Sequence, residues 1–247
     1  MKQGTDAHHM FATDVHAFYT DYVAPRYRQW RQSGAPPREF WYTAADAGIL
    51  GIHAAAEYGG TDGRFAAMVR EEAARTGVQL DMLGSHTDVA VSMVNKLGNA
   101  EQRSRWLPEM VSGRTVATTL AIDCARGATA VRAVRHRNSY IVYGSGGLTC
   151  PGADPDLIIV PVSPDRFGVS LLAVDTRSPR LSRRRTPSSD GLDWRPLEIG
   201  FDDVVVPADN LLGDPDQGLR YLTECAVQQK LSHLDFAAVT ARRARSA

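Results

Sequence analysis

The stretch FDDVVVPADNLLG at residues 201–213 separates two kinds of sequence in this chain. Before it, from about residue 114, β-branched and aliphatic side chains come in short runs between turn clusters, a pattern typical of β-strands. After it, from Asp216, apolar side chains such as Leu219, Leu222 and Leu234 recur at helical spacing. The stretch therefore predicts the end of a β domain and the start of a helix.

The first part of the chain has a helical period. One apolar stripe runs from Phe18 to Trp30, and Pro25 within it predicts a kink or a break in the helix. We predict further helices at residues 64–76, 82–97 and 101–111. Strands are predicted at residues 115–122, 140–143, 157–162, 169–174 and 197–206, and a loop at 177–193.

This order of elements predicts an α+β fold. It comprises an N-terminal helical domain over residues 1–113, a middle antiparallel β-barrel or sandwich over 114–213, and one C-terminal helix over 214–247.

Composition argues against several partners and compartments. Lys+Arg and Asp+Glu both total 28, so the formal net charge is zero and no long-range field attracts nucleic acid or an anionic membrane. Cys124, Cys150 and Cys225 lack the spacing of a metal site, so no metal is expected. No apolar run reaches the roughly 18 residues of a membrane span, and no signal peptide is recognised. We predict a cytoplasmic protein.

Three segments resemble the acyl-CoA dehydrogenase family. The stretch at residues 201–213 resembles the end of that family's β domain. AEYGG at 56–60 resembles the turn after its second helix, and EQRSRWLPEMVSG at 101–113 resembles the segment that leads into the β domain. The resemblance implies a helical domain, a β domain against which a flavin lies, and a C-terminal four-helix bundle of which this sequence has the first helix.

The resemblance also implies that part of the usual chemistry lies elsewhere. In the family, a glutamate in the later bundle helices is the usual base, and the neighbouring subunit's bundle contacts the adenine end of FAD. Neither has a place in these 247 residues, so we expect a partner chain or a different residue to supply the base.

The segments that would face the flavin depart from the family pattern. Residues 121–129 read AIDCARGAT in place of A-L-T-E-P-G-A-G-S-D, and residues 143–152 read YGSGGLTCPG in place of N-G-S-K-x-x-I-T-N-G. Any flavin contacts would come from Ile122, Gly127, Thr129, Leu148 and Thr149. Because the Thr-Glu-Pro core, the lysine and the aromatic wall are missing, we expect no cofactor, with FAD binding beside a partner chain as the alternative.

Five side chains are candidates for chemistry in the same cleft. Asp123 and Cys124 follow a predicted strand, Cys150 and Asp154 lie on the matching loop of a later strand, and His86 lies on a helix whose family equivalent lines the acyl pocket. A buried Asp can be a general base, and a Cys with a lowered pKa can be a nucleophile. The alternatives are turn or cap residues for the aspartates, small buried apolar residues for the cysteines, and an ordinary helix residue for His86.

Three functions stay open at this level. The first is a repurposed enzyme that binds an apolar acyl, acyl thioester or polyketide-like ligand and catalyses cyclisation, isomerisation or dehydration without net redox. The second is one subunit of a heteromeric FAD-dependent dehydrogenase, and the third is a non-catalytic binding protein. The apolar face of the terminal helix predicts a homodimer, or a partner chain that completes the bundle.

Overall fold

A computed structural model describes residues 2–61, 63–122, 129–150, 152–163, 168–185 and 194–226. Within these residues the helices are α1 (Lys2–Ala17), α2 (Tyr27–Ser33), α3 (Arg38–Asp46), α4 (Gly63–Thr76), α5 (Asp81–Gly84), α6 (Ser92–Leu97), α7 (Ala100–Val111) and α8 (218–226). The strands are β1 (Ala117–Thr119), β2 (Val131–His136), β3 (Ser139–Gly147), β4 (Leu157–Val162), β5 (Ser170–Asp175), β6 (Leu181–Arg185), β7 (Leu197–Pro207) and β8 (Leu211–Leu212).

Two helices contain π-helical segments. Phe18–Val23 extends α1, and Ser85–Val91 joins α5 to α6 into one continuous helix. The predicted break at Pro25 is confirmed, because the first helix ends at Val23 and α2 begins at Tyr27. A proline lacks the amide hydrogen that a helix interior needs.

The β region consists of two four-stranded sheets. The first has the order β1-β4-β5-β8, in which β1 runs parallel to β4 and the other pairs are antiparallel. The second has the order β2-β3-β7-β6 and is antiparallel throughout. The α+β fold is confirmed, and of the two predicted β architectures the sandwich is the observed one: the described strands do not close into a barrel.

Strands β4 and β5 are buried on both faces. Ile158 and Leu172 point into the core between the two sheets, whereas Ile159 and Leu171 point into a second core formed with α6, α7 and α8. All six residues of β4 are therefore buried, and the strand shows no alternation between buried and exposed positions. A continuous apolar run is what such a two-sided strand requires.

Three of the described strands were not predicted: the two-residue β8 and two longer strands. β2 was missed, and β6 lies inside the region predicted as a loop, so that prediction was wrong. Both are edge strands of the second sheet, and charged side chains are common on such edges. The arginines of β6 form ion pairs: Arg183 binds Asp154 at 2.9 Å, and Arg184 binds Glu198.

Gln102 joins two of the segments that carry the family resemblance. Its side-chain oxygen accepts from the backbone N–H of Asn99 at 2.9 Å, which completes a capping box at the start of α7. Its amide nitrogen donates to the carbonyls of Asp209 and Leu211 at 2.8 and 2.7 Å. This buried side chain therefore attaches α7 to the ADNLLG segment.

The AEYGG turn needs both of its glycines. Gly59 has a φ of 86°, in the left-handed region that side chains with a Cβ disfavour. A Cβ on Gly60 would lie 1.8 Å from the carbonyl oxygen of Ala54, so the close approach of the two backbones excludes one.

The terminal helix packs on its own chain as far as it is described. Tyr221 is buried, and Leu222 and Cys225 pack against the core that β4 and β5 share with α6 and α7. The later part of the predicted helix, including Leu234, lies outside the described residues. The domain boundaries at residues 113 and 213 remain predictions.

We expect Gln102→Ala to lower the free energy of unfolding by about 2–4 kcal/mol, because it removes the capping box and leaves two carbonyls without their donor. Urea denaturation measures the change. Glu101→Ala is the matched control, since Glu101 is exposed on the same turn of α7. Equal losses for the two variants would contradict a locking role for Gln102.

Candidate functional site

A cleft of about 950 Å³ lies where the helical layer meets the β region. Its walls come from α4, from the continuous helix of α5 and α6, and from α8, and its floor from the residues that follow β1 and β3. Aliphatic side chains dominate the walls, among them Ile49, Ile52, Ala66, Val69, Ala73 and Leu83. A cleft of this size and character suits a small organic ligand with a long apolar part.

Hydroxyl groups lie side by side on the cleft floor. The carbonyl of Thr119 accepts from both the backbone N–H and the hydroxyl of Thr149, at 3.1 and 3.2 Å. The hydroxyls of Thr119 and Thr149 are 3.1 Å apart, and Thr149 lies 3.4 Å from Ser85. Ser85 in turn lies 2.6 Å from the hydroxyl of the buried Thr118. The end of the apolar cleft therefore offers hydrogen bonds to a polar group.

Cys150 lies beside these hydroxyls. Its side chain lines the cleft but is buried, and burial raises the pKa of the Cys150 thiol, although hydrogen bonds from Ser85, Thr118 and Thr149 oppose the shift. A raised pKa keeps the group as the weakly nucleophilic thiol. The proposed role as a nucleophile thus has the right location and an unfavourable environment.

His86 is fully buried and both ring nitrogens are engaged by the backbone. Nε2 donates to the carbonyl of Met110 at 3.1 Å, and Nδ1 accepts from the N–H of Ala117 at 3.0 Å. Burial lowers the pKa of His86 to about 4, so the ring is neutral at physiological pH. The residue connects the end of α7 to β1, and this geometry leaves no nitrogen free for proton transfer.

Of the four described residues predicted to contact a flavin, two line the cleft and two lie elsewhere. Ile122 and Thr149 line the cleft. Leu148 packs against the core of the helical region and the core between the two sheets, and it pairs with Leu120. Thr129 donates to the carbonyl of Pro161 at 2.8 Å.

Asp154 lies apart from the cleft, exposed and ion-paired with Arg183. Asp123, Cys124 and Gly127 lie outside the described residues. The prediction that Asp123 and Cys124 share one cleft with Cys150 therefore stays a prediction. Every predicted role in catalysis or cofactor binding stays a prediction.

A charged group in the cleft wall was not predicted. Asp88 accepts from Nε2 of His53 at 3.1 Å and from the hydroxyl of Thr87 at 3.0 Å, and its second oxygen lies 3.9 Å from Arg70. Burial alone would raise the pKa of Asp88, but His53, Thr87 and Arg70 together hold it below its ordinary value. His53, Arg70 and Asp88 come from separate parts of the chain, so no sequence spacing links them.

Two kinds of site are absent from the described part of the chain. No group of three or more His, Cys, Asp or Glu side chains is arranged to hold a metal ion there. Among the helices that the structure describes, none combines the length and apolar character needed to cross a bilayer.

The helical layer, the two-sheet domain and the cleft between them define a protein of the acyl-CoA dehydrogenase fold. Residues 5–114 match the family model for the acyl-CoA dehydrogenase N-terminal domain. The mitochondrial long-chain specific acyl-CoA dehydrogenase of Sus scrofa is 27% identical over 237 residues, which cover 91% of this chain and 55% of that protein. The chain thus spans about half the length of this curated relative.

Solved structures agree with the family model. The acyl-CoA dehydrogenase of Geobacillus kaustophilus superposes with a TM-score of 0.83 at 30% identity, over 92% of this chain and 63% of that one. A Bacillus anthracis acyl-CoA dehydrogenase complexed with FAD gives 0.80 at 22% identity, over 89% of this chain and 40% of that one, which is a likeness of fold. The N-terminal domain of the acyl-CoA dehydrogenase family is thus matched within residues 5–114, and the chain as described has the fold of these enzymes.

The buried His86 predicts a loss of stability in acid. Its pKa falls from 6.5 to about 4 on folding, so between these values the unfolded chain binds a proton that the folded chain does not. The stabilising contribution is present above pH 6.5 and is lost as the pH falls toward 4, up to about 3 kcal/mol in total.

Urea denaturation of the protein and of His86→Gln at several pH values in this window measures the effect. The variant should be less stable at neutral pH and lose less stability on acidification. His136→Gln, at an exposed position, is the control and should follow the unsubstituted protein. An identical pH dependence for His86→Gln would rule out the assignment.

Proposed function

We propose that the cleft binds the acyl group of a thioester or of a related polyketide-like compound, and that the protein acts on this group as an enzyme of acyl-CoA dehydrogenase type. The observation that carries the proposal is the apolar cleft of about 950 Å³ with hydroxyl groups at its floor. The aliphatic walls of the cleft suit a hydrocarbon chain, and the hydroxyls of its floor suit a polar group that lies next to that chain.

We further propose that FAD takes part. The matched relatives are acyl-CoA dehydrogenases, and the solved Bacillus anthracis protein is complexed with FAD. Thr119, Ile122 and Thr149 on the cleft floor would hold the ring, with hydroxyls for its polar edge and an aliphatic surface for its face. A bound flavin would accept the hydride that leaves the acyl chain.

A base is the part that the described cleft does not provide. Dehydrogenation needs a positioned carboxylate or an equivalent group to remove the proton from the carbon next to the carbonyl. Among the described lining residues the carboxylates are Asp81 and Asp88. Asp81 is exposed at the first turn of α5, and the lowered pKa of Asp88 makes that anion a weak base. The proposal therefore assigns the base to residues outside the described part or to a partner chain.

A reaction without net redox, such as cyclisation, isomerisation or dehydration, is the second candidate. The end of β3 supports it, because Gly146 stands where the family resemblance puts a lysine. A Cβ on Gly146 would lie 2.8 Å from Leu120, and Leu148 packs into the cores instead of lining the cleft. This strand end thus provides neither a cation nor an aromatic wall for a flavin. A cytoplasmic location and a homodimer, or a partner completing the bundle, belong to both candidates as proposals.

An absorbance spectrum of the purified protein, with and without added FAD, separates the two candidates. We expect stoichiometric FAD binding that gives the visible flavin bands, and bleaching of these bands by an acyl-CoA when the base is present. If the protein retains no flavin after the excess FAD is removed, but still consumes an acyl thioester, the non-redox candidate is favoured. Binding of a thioester without turnover under either condition would leave a non-catalytic binding protein.

Two variants test whether the flavin lies against the cleft floor. Thr149→Val removes a hydroxyl from the cleft and should weaken FAD binding by about tenfold, as expected for one lost hydrogen bond. Thr43→Val removes a hydroxyl that donates to the carbonyl of Glu39 on α3, away from the cleft, and should leave FAD affinity unchanged. Equal effects would mean that the ring does not lie against Thr149.

A further inference from the structure

We propose that the cleft selects an acyl chain that carries a neutral oxygen, either a keto or a hydroxyl group, along its length. Arg70 and Asp88 would be the residues that recognise this oxygen. The inference deepens the proposed function and rests on it, since it requires an acyl chain to enter the cleft.

The two charged side chains lie in the part of the wall where a hydrocarbon chain would run. Arg70 comes from α4, where Ala66, Val69 and Ala73 line the same cleft, and Asp88 comes from the facing π-helical segment. The Arg70 and Asp88 side chains are 21% and 29% exposed. A plain hydrocarbon would remove their remaining water without returning any hydrogen bond, which costs free energy.

Arg70 has unused capacity to donate. Its contact with Asp88, from a terminal nitrogen to Oδ2, measures 3.9 Å, which is too long for a hydrogen bond. Its Nε is buried and has no hydrogen-bond partner among the described residues. A guanidinium group carries five donors, and a buried donor left unpaired is destabilising. Because Nε itself is inaccessible, an acceptor oxygen on the ligand would bond a terminal nitrogen of this group, whose contact with Asp88 is long.

Asp88 determines whether the ligand oxygen can carry a charge. Its Oδ1 already accepts from His53 and Thr87. Among the described residues, Oδ2 has only the long contact to Arg70, so it can accept from a ligand hydroxyl. A ligand carboxylate would instead meet this anion and Asp81, which lines the same cleft. Like charges at short range repel, so the pair favours a neutral oxygen over an anionic one.

Titration calorimetry on the purified chain tests the inference. The probes are a saturated medium-chain acyl thioester of N-acetylcysteamine, a set of analogues of equal length with one keto group at successively more distal carbons, and an analogue that ends in a carboxylate. We expect one keto analogue to bind about tenfold more tightly than the saturated probe, the size of one hydrogen bond to a charged donor. The carboxylate analogue should bind no better than the saturated one.

Arg70→Gln should remove the preference for the keto analogue and leave affinity for the saturated probe unchanged or higher. Arg75→Gln is the matched control on the same helix, because Arg75 is 60% exposed and pairs with Glu71 and Glu72 outside the cleft. If Arg70→Gln fails to fold, Arg70→Lys keeps the charge but replaces the planar guanidinium with a single ammonium on a different stem, and should reduce the preference in the same direction.

The outcomes separate the two levels of the proposal. If every keto analogue binds as the saturated probe does, or if the Arg70 variants keep the preference, the inference is overturned while acyl binding stands. If the carboxylate analogue binds best, the neutral-oxygen assignment is wrong. If no thioester binds, the proposed function fails, and the inference fails with it.

Discussion

Strands β4 and β5 contribute side chains to two cores at once, and the arrangement of the other layers depends on this double burial. Their inner faces fill the sandwich with the second sheet, and their outer faces carry α6, α7 and α8. A polar side chain on either face would be buried without water, so the two strands have little freedom of sequence. The cleft lies beside this first sheet, at the place where β1 ends and the helical layer begins.

Polar side chains complete the attachment that apolar packing begins. Gln102 ties α7 to the segment before β8, and His86 ties the helix of α5 and α6 to the start of β1. Arg38 on α3 donates to Asp156 at 2.7 Å, and the same carboxylate oxygen accepts from Val116 at 2.8 Å. Gln102, His86 and Arg38 thus each link a helix to the β region. Of these links, the one that His86 makes attaches a wall of the cleft to β1, whose end forms part of the floor.

The hydrophobic pattern predicted much of the fold and little of the site. Helices and the apolar strands β4, β5 and β7 were recognisable because burial imposes a period on their sequences. β6 was not, since LSRRR is polar and its arginines are balanced by partners distant in sequence, such as Asp154. The buried partners of His86 and the meeting of Arg70 with Asp88 likewise arise from tertiary packing. Of the predicted site residues, Ile122, Thr149 and Cys150 do line one cleft, because the ends of β1 and β3 are adjacent.

The π-helical segment Ser85–Val91 gives the cleft wall its particular composition. In a π-helical turn each backbone N–H bonds five residues back instead of four, so the helix rotates by a smaller angle per residue than the roughly 100° of an α-helix. The same residues wound as an α-helix would present Ser85, Thr87, Asp88 and Val89 to the cleft in different directions. The chemistry of this wall thus depends on the local winding of a helix as well as on its side chains.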